Sequence, residues 1–215
     1  MDQIEALATL RRVGAFFTDG HFVYASGRHG STYVEMKNLF QYPKSTSSLC
    51  REIAKAFADT RFDSITGPDS GGVVVANWVA QNIKDICRRQ VTVVPTVKIP
   101  IGDFLIRRKF LRHIFNRRVL VVDDVVNMGT SVGKVIGMLP EYSADIVGLG
   151  AIFNRGGSAV RDLVFAGQSY FLIDQPYDSW EENDCPLCKE GMPVDLNHGH
   201  GKCFVMKKRP IVLSF

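Results

Sequence analysis

No stretch of this 215-residue chain approaches the ~18 consecutive apolar residues that a membrane-spanning helix needs. The opening segment, MDQIEALATLRRVGAFF, also lacks the apolar core of a secretory leader and carries acids at Asp2 and Glu5. Low-complexity tracts and internal repeats are missing, which leaves a globular protein long enough for one well-buried domain. Cysteine is scarce: there are five, an odd number, and Cys50 and Cys87 stand alone in helix-like segments. A disulfide framework fits poorly, and reduced thiols in a cytoplasmic protein are expected. Acid is absent from residues 107–118, which hold six of the Lys and Arg residues. Since the whole chain nets only +4, the remainder carries a slight excess of acid. A general nucleic-acid binder would be basic elsewhere too, so neither nucleic acid nor membrane is expected as a partner.

What is present is an alternation of strands and helices. Helical spacing runs over residues 3–16 and 45–59. Apolar strand SITG (64–67) precedes a helix from about Gly72 to Ile86, and VTVVPTV (91–97) follows it. After an extended piece near 103–107 and the basic stretch come strand 118–122, a helix over 130–139 and strand 145–153. A short helix near 158–165 leads to strand 169–174. Fully apolar strands alternating with helices predict an α/β fold, a parallel sheet with helices on both faces. Residues 1–174 form that domain, with 1–43 contributing to a small hood, and 175–215 form an appendage packed on it.

The stretch VLVVDDVVNMGTS, Val119 to Ser131, poses a question of charge. Ligands of open α/β sheets bind outside the carboxyl ends of the strands, which is where Asp123 and Asp124 fall if the strand ends at 122. Asn127, Met128, Gly129, Thr130 and Ser131 then lead into a helix, whose first N–H groups suit a phosphate. Two acids beside an anion site make sense when they accept hydrogen bonds from hydroxyls of the same ligand. A pentose with a terminal phosphate and a vicinal diol meets both demands. GTSVGKV is not a Walker A loop, and GLGAIF lacks the third glycine of a dinucleotide fingerprint.

That stretch resembles the phosphoribosyl pyrophosphate (PRPP) motif of type I phosphoribosyltransferases, departing from it at Asn127 and Met128. GHFVYASGRHGSTYVEMKNLF (20–40) is similar to the substrate segment of the orotate phosphoribosyltransferases, and TGPDSGGVVVA (66–76) resembles the pyrophosphate-side loop. With CPLC-x-x-G-x-P in the tail, the resemblance spans nearly the whole chain and is closest to the longer, divergent orotate phosphoribosyltransferase-like subgroup. It implies transfer of phosphoribose from PRPP, with Mg²⁺, to orotate, giving orotidine 5′-phosphate and pyrophosphate. It also implies PRPP binding by Lys98, Gly71, Gly72, Asp123, Asp124 and residues 127–131, and base binding by Ser26, Gly27, Tyr33, Lys37 and Arg155. An arginine fork at Arg155 suits a base carboxylate.

The same resemblance makes the basic stretch a catalytic flap, with Arg108, Lys109, Arg112 and His113 as its working residues, and implies a homodimer. The position of the family's catalytic lysine falls on Leu111, leaving Arg112 or Lys109 to substitute. Ala25 replaces a lysine common in the orotate enzymes, so one substrate or pyrophosphate contact is either missing or supplied elsewhere, with Lys37 the candidate. Two alternatives therefore stay open: a non-catalytic PRPP-binding regulator, and transfer to a different base. In the tail, Cys185-x-x-Cys188 has zinc-ligand spacing, with His198, His200 and Cys203 near enough in sequence to complete a tetrahedral site. Reduced thiols in a Gly/Pro-rich loop are the preferred reading there, and a structural Zn²⁺ is the alternative. A nucleic-acid zinc ribbon would want a second CxxC.

Overall fold

The computed structural model describes residues 1–156 and 168–208. In chain order its elements begin with α1 (Gln3–Arg12) and four two-residue strands, β1 (Phe16–Phe17), β2 (Phe22–Val23), β3 (His29–Gly30) and β4 (Tyr33–Val34). Then follow α2 (Met36–Phe40), α3 (Pro43–Ala56), β5 (Ser64–Thr66), α4 (Gly71–Cys87), β6 (Thr92–Val93), β7 (Thr96–Lys98) and β8 (Phe104–Ile106). A 3-10 helix at Arg108–His113 leads to β9 (Arg118–Val126), α5 (Thr130–Met138), β10 (Asp145–Asn154) and β11 (Gln168–Asp174). The tail holds short helices at Pro186–Lys189 and Gly201–Lys208. Contacts divide the chain into two units: one from residues 1–9 and 36–176, the other from 10–35 and 177 onward.

The larger unit is built on a five-stranded sheet, ordered β11-β10-β9-β5-β6, in which each neighbouring pair is parallel. Val119, Leu120, Val121 and Val122 are all fully buried, as a parallel strand covered on both faces requires. On one face, Val119 and Val121 join Val132, Val135 and Leu139 in a core cluster. On the other, α3 buries Leu49, Cys50 and Ile53, and α4 buries Val75, Ala76 and Val79. Proline at the first position of α3 suits its start, because that N–H has no partner within the helix. Each large apolar side chain so buried contributes roughly 1.5–3 kcal/mol. The chain visits β5, then β6 on one side, then β9, β10 and β11 on the other. The order therefore reverses between β5 and β9, the kind of crevice where such sheets bind ligands.

The smaller unit has two antiparallel pairs, β1 with β4 and β2 with β3. Its tail is strung along β2: the Asp195 N–H donates to the His21 carbonyl and the His200 N–H to the Val23 carbonyl, both at 2.8 Å. Arg28 anchors the β2–β3 turn through Ser179 (Nε to Oγ, 3.0 Å) and Glu181.

Three expectations need correction. The segment VTVVPTV is not one strand: Pro95, which has no N–H for a ladder, separates β6 from β7, and β7 pairs antiparallel with β8 instead. The strand at 118–122 continues to Val126, because β10 runs beside it as far as Asn154. The opening helix stops at Arg12, where Gly14 at φ +66° turns the chain toward β1. The helix expected near 158–165 lies outside the described residues.

Candidate active site

The site is built by the unequal pairing of β9. Its ladder with β5 ends at Val121–Thr66, whereas its ladder with β10 runs on to Val126–Asn154. Asp123 and Asp124 thus lie inside the strand, not after it, but in a portion that overhangs the β5–β9 crevice. Successive strand residues face opposite sides of a sheet. Asp123 shares the face of Val119 and Val121, toward α5, and Asp124 shares the face of Leu120 and Val122, toward α4.

Across the crevice, the loop after β5 turns into α4 at Gly71 and Gly72. A Cβ on Gly71 would collide with the Asp124 carboxylate, and one on Gly67 or Gly72 would collide with the Val122 carbonyl. The β5–α4 loop therefore packs directly on the overhang that carries the acids. The Asp69–Ser70 peptide within it is cis.

On the α5 side, Gly129 occupies the N-cap position at φ +73°, a left-handed conformation that glycine adopts without strain. Its carbonyl accepts the first helical hydrogen bond, from Gly133 N–H at 2.7 Å. The first N–H groups of α5 have no partner within the helix, and such groups suit an anion. Thr130 and Ser131 stand exposed beside it. Met128 is 79% exposed, so its bulk points away from the loop and costs no space there. Arg155 follows β10, its N–H donating to the Val126 carbonyl at 2.8 Å, which places it at the tip of the same overhang.

Two groups near the acids have displaced protonation. Burial, and then the charge of Asp124, hold the Asp123 carboxyl well above the usual carboxylate range. The Asp124 N–H donating to Asp123 Oδ1 at 2.9 Å offsets only part of this. Burial, with Asp124 adding to it, also pushes the Cys50 thiol up, so that sulfur stays protonated and unreactive.

The structure does not gather the remaining candidates as evenly. Lys98 is exposed at the end of β7, before a turn at 99–103. Lys134 of α5 holds that turn by an ion pair to Asp103 (2.7 Å) and a bond to the Gly102 carbonyl (3.0 Å). No motif marks Lys134, Gly102 or Asp103 in the sequence; the link appears only once the hairpin is folded. Arg108, Lys109 and Arg112 are exposed, while Leu111 packs against the core cluster beside Phe110.

His113 lies at the other end of the sheet. Its carbonyl accepts a hydrogen bond from Ser64, the first residue of β5, which pairs with Val119. Asp123 lies four positions beyond Val119 along the strand, roughly 13 Å at strand rise. There His113 lines a cleft of about 780 Å³ with Arg61, Arg89 and Arg118, apart from the acids. Lys37 is exposed on α2. In the smaller unit, Ser26 and Gly27 form the exposed β2–β3 turn, and the Tyr33 ring stacks on Phe22 at 5.5 Å.

The tail also differs from expectation. His198 is taken up by packing on Phe17 (4.1 Å between ring centres) and by Asp195 (3.2 Å), and His200 and Cys203 are exposed. Cys185 and Cys188 instead meet His21 and His29. Spacing within the tail could not reveal this, since the partners lie more than 150 residues away.

Comparison with known proteins bears on this site. The phosphoribosyl transferase domain family matches residues 36–166. An orotate phosphoribosyltransferase of Chlorobaculum parvum is 32% identical over 197 residues, 91% of this chain and 95% of that protein. One of Thermotoga maritima is 33% identical over 195 residues, 89% of this chain and 96% of that protein. The solved Mycobacterium tuberculosis orotate phosphoribosyltransferase in complex with PRPP shares the fold. Its TM-score is 0.58 at 19% identity, over 80% of this chain and 96% of that one.

Proposed function

The chain belongs to the phosphoribosyltransferase family, alongside the orotate phosphoribosyltransferases, and on that premise we propose that it transfers phosphoribose from PRPP to orotate. The products are orotidine 5′-phosphate and pyrophosphate. One observation carries the reading: the acid pair and the Gly71–Gly72 loop meet at the β5–β9 switch crevice, with the N-terminus of α5 on the other side of the same strand.

In this reading the α5 N–H groups, Thr130 and Ser131 hold the 5′-phosphate, with Asn127 and Met128 contributing main chain. Asp124, half-exposed, accepts from one ribose hydroxyl and Asp123 from the other. Amides around Gly71 and Gly72 face the diphosphate, to which Lys98 adds a positive charge. The exposed carboxylate of Asp69 on that loop is a hard oxygen donor of the kind Mg²⁺ takes, so the loop fits the ion. Magnesium bound with the diphosphate would neutralise charge on the leaving group. Arg155 pairs with the base carboxylate, and motif order assigns Ser26, Gly27, Tyr33 and Lys37 to the base.

Transfer through a ribosyl cation asks the protein to orient both partners and exclude water rather than to form bonds of its own. The flap role of Arg108, Lys109, Arg112 and His113 belongs with a homodimer: a chain that keeps His113 at the amino end of its own sheet offers these cations to a partner copy. The regulator reading draws on the same feature, together with Leu111 being held by the core. Mixing the protein with PRPP, Mg²⁺ and orotate separates the readings. Loss of orotate absorbance is expected. PRPP binding without turnover would support the regulator, and turnover with another base alone would replace orotate.

A further inference from the structure

The two histidines of the β2–β3 hairpin and the two cysteines of the CPLC turn converge on one point. His21, His29, Cys185 and Cys188 each offer one ligand atom, and these atoms all lie within 4.8 Å of one another. His21 Nε2 stands 3.7 Å from Cys185 Sγ and 3.6 Å from Cys188 Sγ, and His29 Nδ1 stands 3.3 Å from Cys188 Sγ. Bonds of about 2.0 Å to nitrogen and 2.3 Å to sulfur would set tetrahedral ligands about 3.3–3.8 Å apart. Of these four distances, the 2.8 Å between His21 Nε2 and His29 Nδ1 is shorter, by an amount that small ring rotations supply. From this geometry we propose that His21, His29, Cys185 and Cys188 form a structural Cys₂His₂ site for Zn²⁺.

The surroundings suit a metal. His21 Nδ1 lies 2.7 Å from the Met192 carbonyl, a partner that takes the N–H there and leaves Nε2 with its lone pair toward the centre. His29 is clamped by two main-chain bonds with Trp180 and by the edge of the Phe204 ring at 4.8 Å. Cys185 stands at the N-cap of the single turn of helix Pro186–Lys189 and Cys188 lies within it, so their sulfurs are presented together. Cys185, His21 and His29 are buried and Cys188 half-buried, a closed set with no open position for substrate. Two thiolates with two imidazoles in a tetrahedron select zinc over magnesium or calcium.

The ion would join residues far apart in sequence, 159 between His29 and Cys188 and 167 between His21 and Cys188, within a unit too small to hold much core of its own. It would fix the β2–β3 hairpin against the tail. Binding takes the proton from each Sγ–H and releases it to solvent, while both histidines bind neutral.

The test uses the full chain, purified without an affinity tag or chelator. Elemental analysis should find one zinc per chain. Protein stripped by a chelator and refilled with Co²⁺ should show the visible bands of tetrahedral cobalt and ultraviolet thiolate-to-cobalt charge transfer. Cys188→Ala and His29→Gln should abolish both, whereas Cys203→Ala and His200→Ala should keep them. Should the first pair fail to fold, thiol labelling of the wild type decides. Cys203 should react at once, and Cys185 and Cys188 only as zinc is released. Zinc well below one per chain with no cobalt spectrum, or Cys185 and Cys188 reacting as fast in untreated protein, overturns the site in favour of a plain His21–His29 hydrogen bond. None of these readouts involves PRPP, so their failure leaves the transferase reading untouched.

Discussion

The Asp124 carboxylate occupies the space that a side chain at Gly71 would need. This contact ties the β5–α4 loop to the acid of the neighbouring strand, so that neither can change without moving the other. Gly71→Ala should push the Asp124 carboxylate off its position. Losing one charge-assisted hydrogen bond to a ribose hydroxyl costs about 1.5–3 kcal/mol, or roughly 10- to 100-fold in PRPP affinity. Alanine is well tolerated at a helix start, so the melting temperature should hardly change. Calorimetric titration with PRPP and Mg²⁺, beside a thermal melt, checks both halves; unaltered affinity would show that the contact is incidental.

Asp123 leads to a pH dependence of definite sign. Its carboxyl is raised by burial and then by Asp124, so the folded chain keeps a proton that the unfolded chain has already lost. Stability from this group is fully present below the ordinary carboxylate range. It declines as pH rises from that range through the raised value, and the cost is complete only above that value. Asp123→Asn should therefore melt above the wild type at pH 7, and the two should converge in acid. Ribose hydroxyls donate to the ionised form, so PRPP should bind the wild type more tightly as pH rises through the same window. The substitution should abolish that dependence along with most of the affinity. Melting curves across pH would sink this if Asp123→Asn were the less stable protein at neutral pH.

Much of this arrangement is legible in the sequence because local chemistry dictates it. Four apolar residues, Val119 to Val122, mark a strand buried on both faces, and Gly129 marks the turn into a helix. The overhang is not legible, because it depends on how far β10 runs beside β9, a pairing between strands distant in sequence. Pro95 does carry a local signal, a missing N–H, that divides 91–97 into two strands. The meeting of His21 and His29 with the CPLC turn carries none, since no spacing within either segment points to the other.

Leu111 stands where a catalytic lysine is expected from the family pattern, yet its side chain packs on the core cluster. Leu111→Lys should therefore not restore a catalytic group. Placing an ammonium in a half-buried apolar site should cost about 1–3 kcal/mol of stability with no gain in kcat. Arg108→Ala and Lys109→Ala, both at exposed positions, should lower kcat while leaving the melting temperature within about a degree or two. A rise in kcat for Leu111→Lys would show that the segment leaves the core during turnover.

The position of His113, four strand residues below the acids, makes the basic segment a poor servant of its own site and a candidate for a neighbour's. Mixed assemblies can test this, because the two defects then lie on different chains. Asp124→Asn alone should be inactive, and so should Arg108→Ala combined with Lys109→Ala. Unfolding and refolding them together in equal amounts gives half the dimers one chain of each kind. If the cations act across the interface, each such dimer joins intact acids on one chain to intact cations on the other, at one of its two sites. About a quarter of wild-type activity should then return. If the cations act within their own chain, every site in the mixture carries a defect and nothing returns. The outcome also bears on oligomeric state, since a monomeric protein would show no recovery at any mixing ratio.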